Sequence, residues 1–181
     1  MNFMETKLEG LFTVDLNFHN DERGWFGRTF CEKEFNSIGF SQKFVQLNHS
    51  YNAKKGTLRG MHFQNPPFGE TKLIRCIKGK VFDVAVDLRI NSPSFLNWYG
   101  IELSSKNKKM ILIPSGFAHG FITLEDHSEL LYHHTEFYNQ SADNGFIYDD
   151  QLININWPEA IRIISPKDKK LPTIKSSFQG I

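Results

Sequence analysis

The chain has 181 residues, enough for one domain with a sizeable core, and its 17 Phe within a 40% hydrophobic composition lean toward strand. A net charge of +1 with both signs interspersed excludes an electrostatic case for nucleic acid or a membrane surface. Two cysteines, Cys31 and Cys76, make neither a disulfide framework nor a zinc pattern, and no run approaches the ~20 apolar residues of a membrane span.

In chain order, strands are expected at Leu11–Asn17, Phe44–Tyr51, Leu58–Phe63, Lys72–Ile77, Val81–Arg89, Gly100–Leu103, Met110–Ile113, His119–Thr123 and Ser128–Thr135. A short helical turn fits Cys31–Ser37, and the chain after Asp149 reads as mostly irregular. The clearest strand alternates Phe82, Val84, Val86 and Leu88 with Asp83, Asp87 and Arg89, which puts the aspartates on the non-core face. Lys78-Gly79-Lys80 makes Lys72–Ile77 and Val81–Arg89 read as a hairpin. Short strands without long helices between them predict an all-β antiparallel sandwich or barrel. No repeat, linker or composition step divides residues 1–181, so one domain is expected. The first residues lack the apolar core of a signal peptide, which predicts a cytoplasmic protein. The short basic runs Lys106–Lys109 and Lys167–Lys170 read as solvated turns.

Two segments carry the chemistry: Gly56–Gln64 (GTLRGMHFQ), followed by Glu70 and Gly79, and Pro114–Phe121 (PSGFAHGF). Together they resemble the paired signatures of the cupin superfamily, which implies a jelly roll. Gln64 stands where a metal-binding cupin would have a second His. His62, Gln64, Glu70 and His119 could surround a divalent ion, but Gln is a poor ligand for imidazole-friendly metals. The other reading is a metal-free cavity holding an organic base.

The resemblance extends along nearly the whole chain. Asp21–Phe26 (DERGWF), Gln46–Ser50 (QLNHS), Leu58–Gln64, Lys72–Arg75 (KLIR), Gly79–Arg89, Ile113–Phe121, Tyr148–Asp150 and Ile155–Pro158 occur in one order. In this order they resemble the dTDP-4-dehydrorhamnose 3,5-epimerases. That resemblance implies epimerisation, without a cofactor or metal, of a nucleotide-linked 4-keto-6-deoxy sugar. A ketone at C4 acidifies the hydrogens on C3 and C5, so the site needs a base, an electrophile at the C4 oxygen and an acid across the ring.

His62 suits the base, because imidazole titrates near neutral pH. The resemblance implies a late carboxylate to orient it, which Ser165-Pro166-Lys167-Asp168 supplies as Asp168; Asp83 is the local alternative. Lys72 is the expected partner of the C4 oxygen. Tyr132 is the candidate acid, and His119 is expected to line the cavity. For the nucleotide, Arg23 and Arg59 suit the diphosphate, Gln46 and Asn48 offer amides, and Tyr138 and Phe26 could sandwich the base. The resemblance also implies a homodimer in which the segment with Arg23 and Phe26 reaches the neighbour's site.

Arg28 departs from the family's usual Glu. A guanidinium has donors only, so it suits the acceptors of cytosine or guanine better than thymine N3–H. A CDP- or GDP-linked substrate, inversion at one centre, keto-isomerisation between C3 and C4, and a metal-dependent or non-catalytic sugar-binding cupin are the alternative readings.

Overall fold

The computed structural model describes residues 1–181. In chain order its elements are β1 (Asn2–Glu5), β2 (Phe12–Asp15), β3 (Phe18–Asp21), β4 (Gly24–Gly27), α1 (Glu32–Asn36), β5 (Gln46–Asn52), β6 (Thr57–Gln64) and β7 (Lys72–Lys78). They continue with β8 (Lys80–Asp87), β9 (Trp98–Ser104), β10 (Met110–Ile113), β11 (Phe117–Thr123), β12 (Ser128–His134), β13 (Asp143–Gly145) and β14 (Ile163–Ile164). The strands build two facing sheets, β1-β2-β10-β7-β12-β5 and β13-β6-β11-β8-β9, both antiparallel. β14 joins β6 in parallel, and β3–β4 is a separate hairpin that strand periodicity alone did not indicate. No helix is long and apolar enough to cross a membrane.

The expected hairpin between Lys72–Ile77 and Val81–Arg89 is not formed. β7 pairs with β10 and β12, whereas β8 pairs with β9 and β11 in the other sheet. Gly79, at φ +70°, turns the chain from one sheet to the other, and a Cβ there would lie 2.9 Å from Ser128 Cα. A corner between layers uses the same glycine signal as a tight turn, which is why local sequence could not separate them.

The alternation of β8 is real, but both of its faces are covered. Val81 and Ala85 join the cluster between the sheets with Ile74, Ile111, Phe121 and Leu130. Val84, Val86 and Leu88 face the other way, onto Phe146, Ile153 and Ile155, with Trp157, Ile174 and Phe178 packed beside them. The irregular C-terminal segment therefore seals the outer face of the second sheet. Asp83 and Asp87, expected on the non-core face, are fully buried on the inter-sheet side. A third cluster packs Phe35 of α1 against Val14, Leu73 and Met110. Phe35 is fully buried, edge-on to Phe3 at 5.0 Å, so truncation to Ala should cost about 3–5 kcal/mol.

Candidate active site

A cavity of about 720 Å³ opens between the sheets. β6 and β11 contribute His62 and His119; β5, β7 and β12 contribute Asn48, Lys72, Tyr132 and His134; and the tail from Ile163 to Asp168 closes one side. The register explains the convergence. His62 lies opposite His119, Tyr132 opposite Asn48, and Lys72 opposite His134, so period-two pleating turns these neighbours the same way.

Gly60 makes the β6–β11 approach possible. Its φ is +129°, and a Cβ would lie 2.6 Å from Gly120 Cα. The ladder shifts register between His119 and Phe121 at this point. Any side chain at position 60 would push apart the strands that carry both histidines.

The base candidate is oriented from the far end of the chain. β14 runs beside Thr57 and Leu58, and Ser165 Oγ accepts the Asp168 amide at 3.0 Å. That turn, the physical content of Ser-x-x-Asp, sets Asp168 Oδ1 2.9 Å from His62 Nε2. The Gly60 amide donates to the other oxygen at 3.3 Å. Burial works to raise the Asp168 carboxyl, but the hydrogen bond and charge of His62 and the Gly60 amide outweigh it and hold it below the usual carboxylate range. An ionised Asp168 fixes the His62 proton on Nε2 and leaves Nδ1 as the basic nitrogen.

Asp83 partners the other histidine: its oxygens lie 3.1 and 3.0 Å from His119 Nε2. Burial pushes the His119 imidazole below its ordinary value, against the opposing pull of Asp83. The Tyr132 phenol shares a hydrogen bond of 2.8 Å with Ser50, and burial pushes its pKa above the ordinary phenol value, so it stays protonated at neutral pH. Arg59 donates from Nε to Asn52 at 2.8 Å, which aims its guanidinium along the cavity wall. Ser50 is legible in the sequence only as the end of the Gln46–Ser50 motif and Asn52 not at all; the β5–β12 register brings both into place.

Gln46 and Tyr138 sit at the rim, where the Tyr138 amide donates to Gln46 Oε1 at 3.2 Å. The Tyr138 ring is exposed and lines an adjoining pocket with His62 and Lys72. Arg23, Phe26 and Arg28 are not among the lining residues of their own chain's cavity. Arg23 pairs with Asp21, Phe26 is 75% exposed, and Arg28 donates to Glu34 at 2.8 Å.

The set considered for a metal is committed elsewhere. Gln64 donates to the carbonyls of Phe68 and Phe137 and accepts the Asn139 amide. His62 and His119 each hold their own carboxylate, and no group of three or more His, Cys, Asp or Glu side chains converges on an ion site. The arrangement is one of proton donors and acceptors on two facing walls.

A family model described as dTDP-4-dehydrorhamnose 3,5-epimerase matches residues 5–176. An Escherichia coli K12 protein of that name is 43% identical over 176 residues, covering 96% of this chain and 95% of that one. The crystal structure of a Bacillus anthracis dTDP-4-dehydrorhamnose 3,5-epimerase with TDP and PPi bound superposes with a TM-score of 0.93 at 39% identity, covering 96% of this chain and 99% of that one. A Legionella pneumophila 3,5-epimerase in complex with dTDP-4-keto-L-rhamnose superposes at 0.91 with 36% identity, covering 99% and 97%.

Proposed function

The chain belongs to the dTDP-4-dehydrorhamnose 3,5-epimerase family, and from that premise we propose how its cavity does the chemistry. It is an isomerase that epimerises a dTDP-linked 4-keto-6-deoxy sugar. His62 Nδ1 removes the proton on the carbon next to the C4 ketone, and Asp168 steadies the imidazolium that forms. Electron density moves to the C4 oxygen, where the Lys72 ammonium stabilises the enolate. Tyr132 returns a proton to the carbon from the opposite face, and its phenolate is reprotonated through the Ser50 hydroxyl. The His62 imidazolium gives its proton up to solvent, the sequence repeats at the second carbon, and C3 and C5 both invert without an electron acceptor.

One observation carries this reading: the base and the acid come from facing sheets, His62 from β6 and Tyr132 from β12, and both line one cavity. Inversion requires a donor on the face opposite the base, and a sandwich supplies that arrangement.

At the rim, Arg59, Gln46, Asn48 and Tyr138 bind the nucleotide diphosphate. The β3–β4 hairpin exposes Trp25 and Phe26, at 51% and 75%, outside its own chain's cavity. In a homodimer this hairpin brings Arg23 and Phe26, with Arg28 at its end, to the neighbour's nucleotide. Residues 1–181 act as a single catalytic domain in the cytoplasm, where sugar nucleotides are made. The test is turnover of His62→Asn and Tyr132→Phe beside calorimetric dTDP binding. Loss of turnover with binding retained supports the assignment; wild-type turnover in either variant removes that residue from the mechanism.

A further inference from the structure

A single hydrogen-bonded chain crosses the β5–β12–β7 wall, and its direction is fixed at one end by backbone. The Tyr138 amide can only donate, so the atom it meets at 3.2 Å is Gln46 Oε1. Gln46 Nε2 is then the donor to Asn48 Oδ1 at 3.3 Å. Asn48 Nδ2 in turn donates to His134 Nε2 at 3.3 Å. A ring nitrogen that accepts carries no proton, so the His134 proton sits on Nδ1 and is donated to Glu70 Oε2 at 2.9 Å. The second Glu70 oxygen lies 3.0 Å from Lys72 Nζ.

We infer that Glu70 and His134 are positioning residues that hold the Lys72 ammonium toward the cavity, through a one-way hydrogen-bond chain anchored on the Gln46–Asn48 rim. The inference rests on the reading of Lys72 as the partner of the C4 oxygen. Lysine has a flexible four-carbon stem with no preferred fork geometry, so its charge is useful only where something fixes it. Glu70 is the one carboxylate that does so, and His134 keeps it from turning by occupying its other oxygen. The side chains of Glu70, Lys72 and His134 are each 10% exposed, so water does not substitute freely for a lost partner. Burial works to raise the Glu70 carboxyl, but the His134 hydrogen bond and the Lys72 charge outweigh it and keep it ionised.

Glu70→Gln is the informative change because it preserves volume. An amide offers one acceptor where the carboxylate offers two, so either Lys72 or His134 faces an N–H. Turnover should be compared in wild type, Glu70→Gln, Lys72→Met and the double variant, with dTDP binding measured by calorimetry. The expected result is a kcat lowered about tenfold or more in Glu70→Gln, with KM and dTDP affinity within about twofold of wild type. The double variant should be no slower than Lys72→Met alone. Wild-type kcat in Glu70→Gln overturns the inference, as do losses that multiply in the double variant. Wild-type kcat in Lys72→Met instead overturns the underlying role of Lys72, and the cycle separates the two failures.

Discussion

His62 Nε2 lies 2.9 Å from Asp168 Oδ1, across 106 residues of chain. The contact forms only because β14 pairs in parallel with the start of β6 and returns the tail to the cavity. Asp168→Asn should keep the fold but lose the charge that steadies an imidazolium. The expected loss in kcat is about a hundredfold or more, with KM little changed. Steady-state kinetics of the variant check this, and a kcat near wild type would reduce Asp168 to a structural anchor of the tail.

Tyr132→Phe should split the reaction. Proton abstraction by His62 continues, so solvent deuterium still enters the substrate, but delivery from the opposite face slows. Exchange measured against inversion by NMR should therefore give a ratio well above that of wild type. Equal slowing of both would assign the acid to another group.

Asp87 offers a test of stability away from the chemistry. It is fully buried and accepts from Arg89, Ser92 and Ser94. Burial works to raise its carboxyl, but those hydrogen bonds outweigh it and hold it below the usual value. A carboxyl depressed in the folded state contributes stability that is present above its unfolded pKa, near ~4, and is lost as pH falls through the folded value. Asp87→Asn should cost about 3 kcal/mol near neutral pH and flatten the decline in stability below about pH 4. Urea melts across that range check both, and parallel acid profiles would contradict the assignment.

Arg28 is held by Glu34 at 2.8 Å and is 63% exposed on its side chain. A guanidinium so engaged is a weak reader of a nucleotide base, which agrees with dTDP as the nucleotide. Calorimetry with dTDP, CDP and GDP should show dTDP preferred by wild type and by Arg28→Glu. The variant's stability should stay close to that of wild type, since the pair faces solvent. A preference for CDP or GDP that disappears in Arg28→Glu would return Arg28 to the base.

Much of this was legible in the sequence because the informative residues sit inside dense motifs. His62, Lys72, His119 and Tyr132 each lie on a strand expected from the sequence, and all four meet in one cavity. Gly79 shows where local reading fails, since a turn within a sheet and a corner between sheets demand the same positive φ. Asp83 shows it again: alternation identified two faces of β8, but only the C-terminal segment, packed on it from Phe146 onward, decides that the apolar face is the outer one. Ser50 and His134 have no role legible in the sequence, and Glu70 reads there only as a metal-ligand candidate, because their roles depend on register between strands far apart in sequence.

The central claim is that His62 is the base at both carbons. Incubation with a dTDP-4-keto-6-deoxy sugar in deuterated water, followed by NMR at C3 and C5, tests it most directly. Wild type should incorporate deuterium at both positions, and His62→Ala should incorporate it at neither while still binding dTDP. Exchange at either carbon at a near-wild-type rate in His62→Ala would contradict the account.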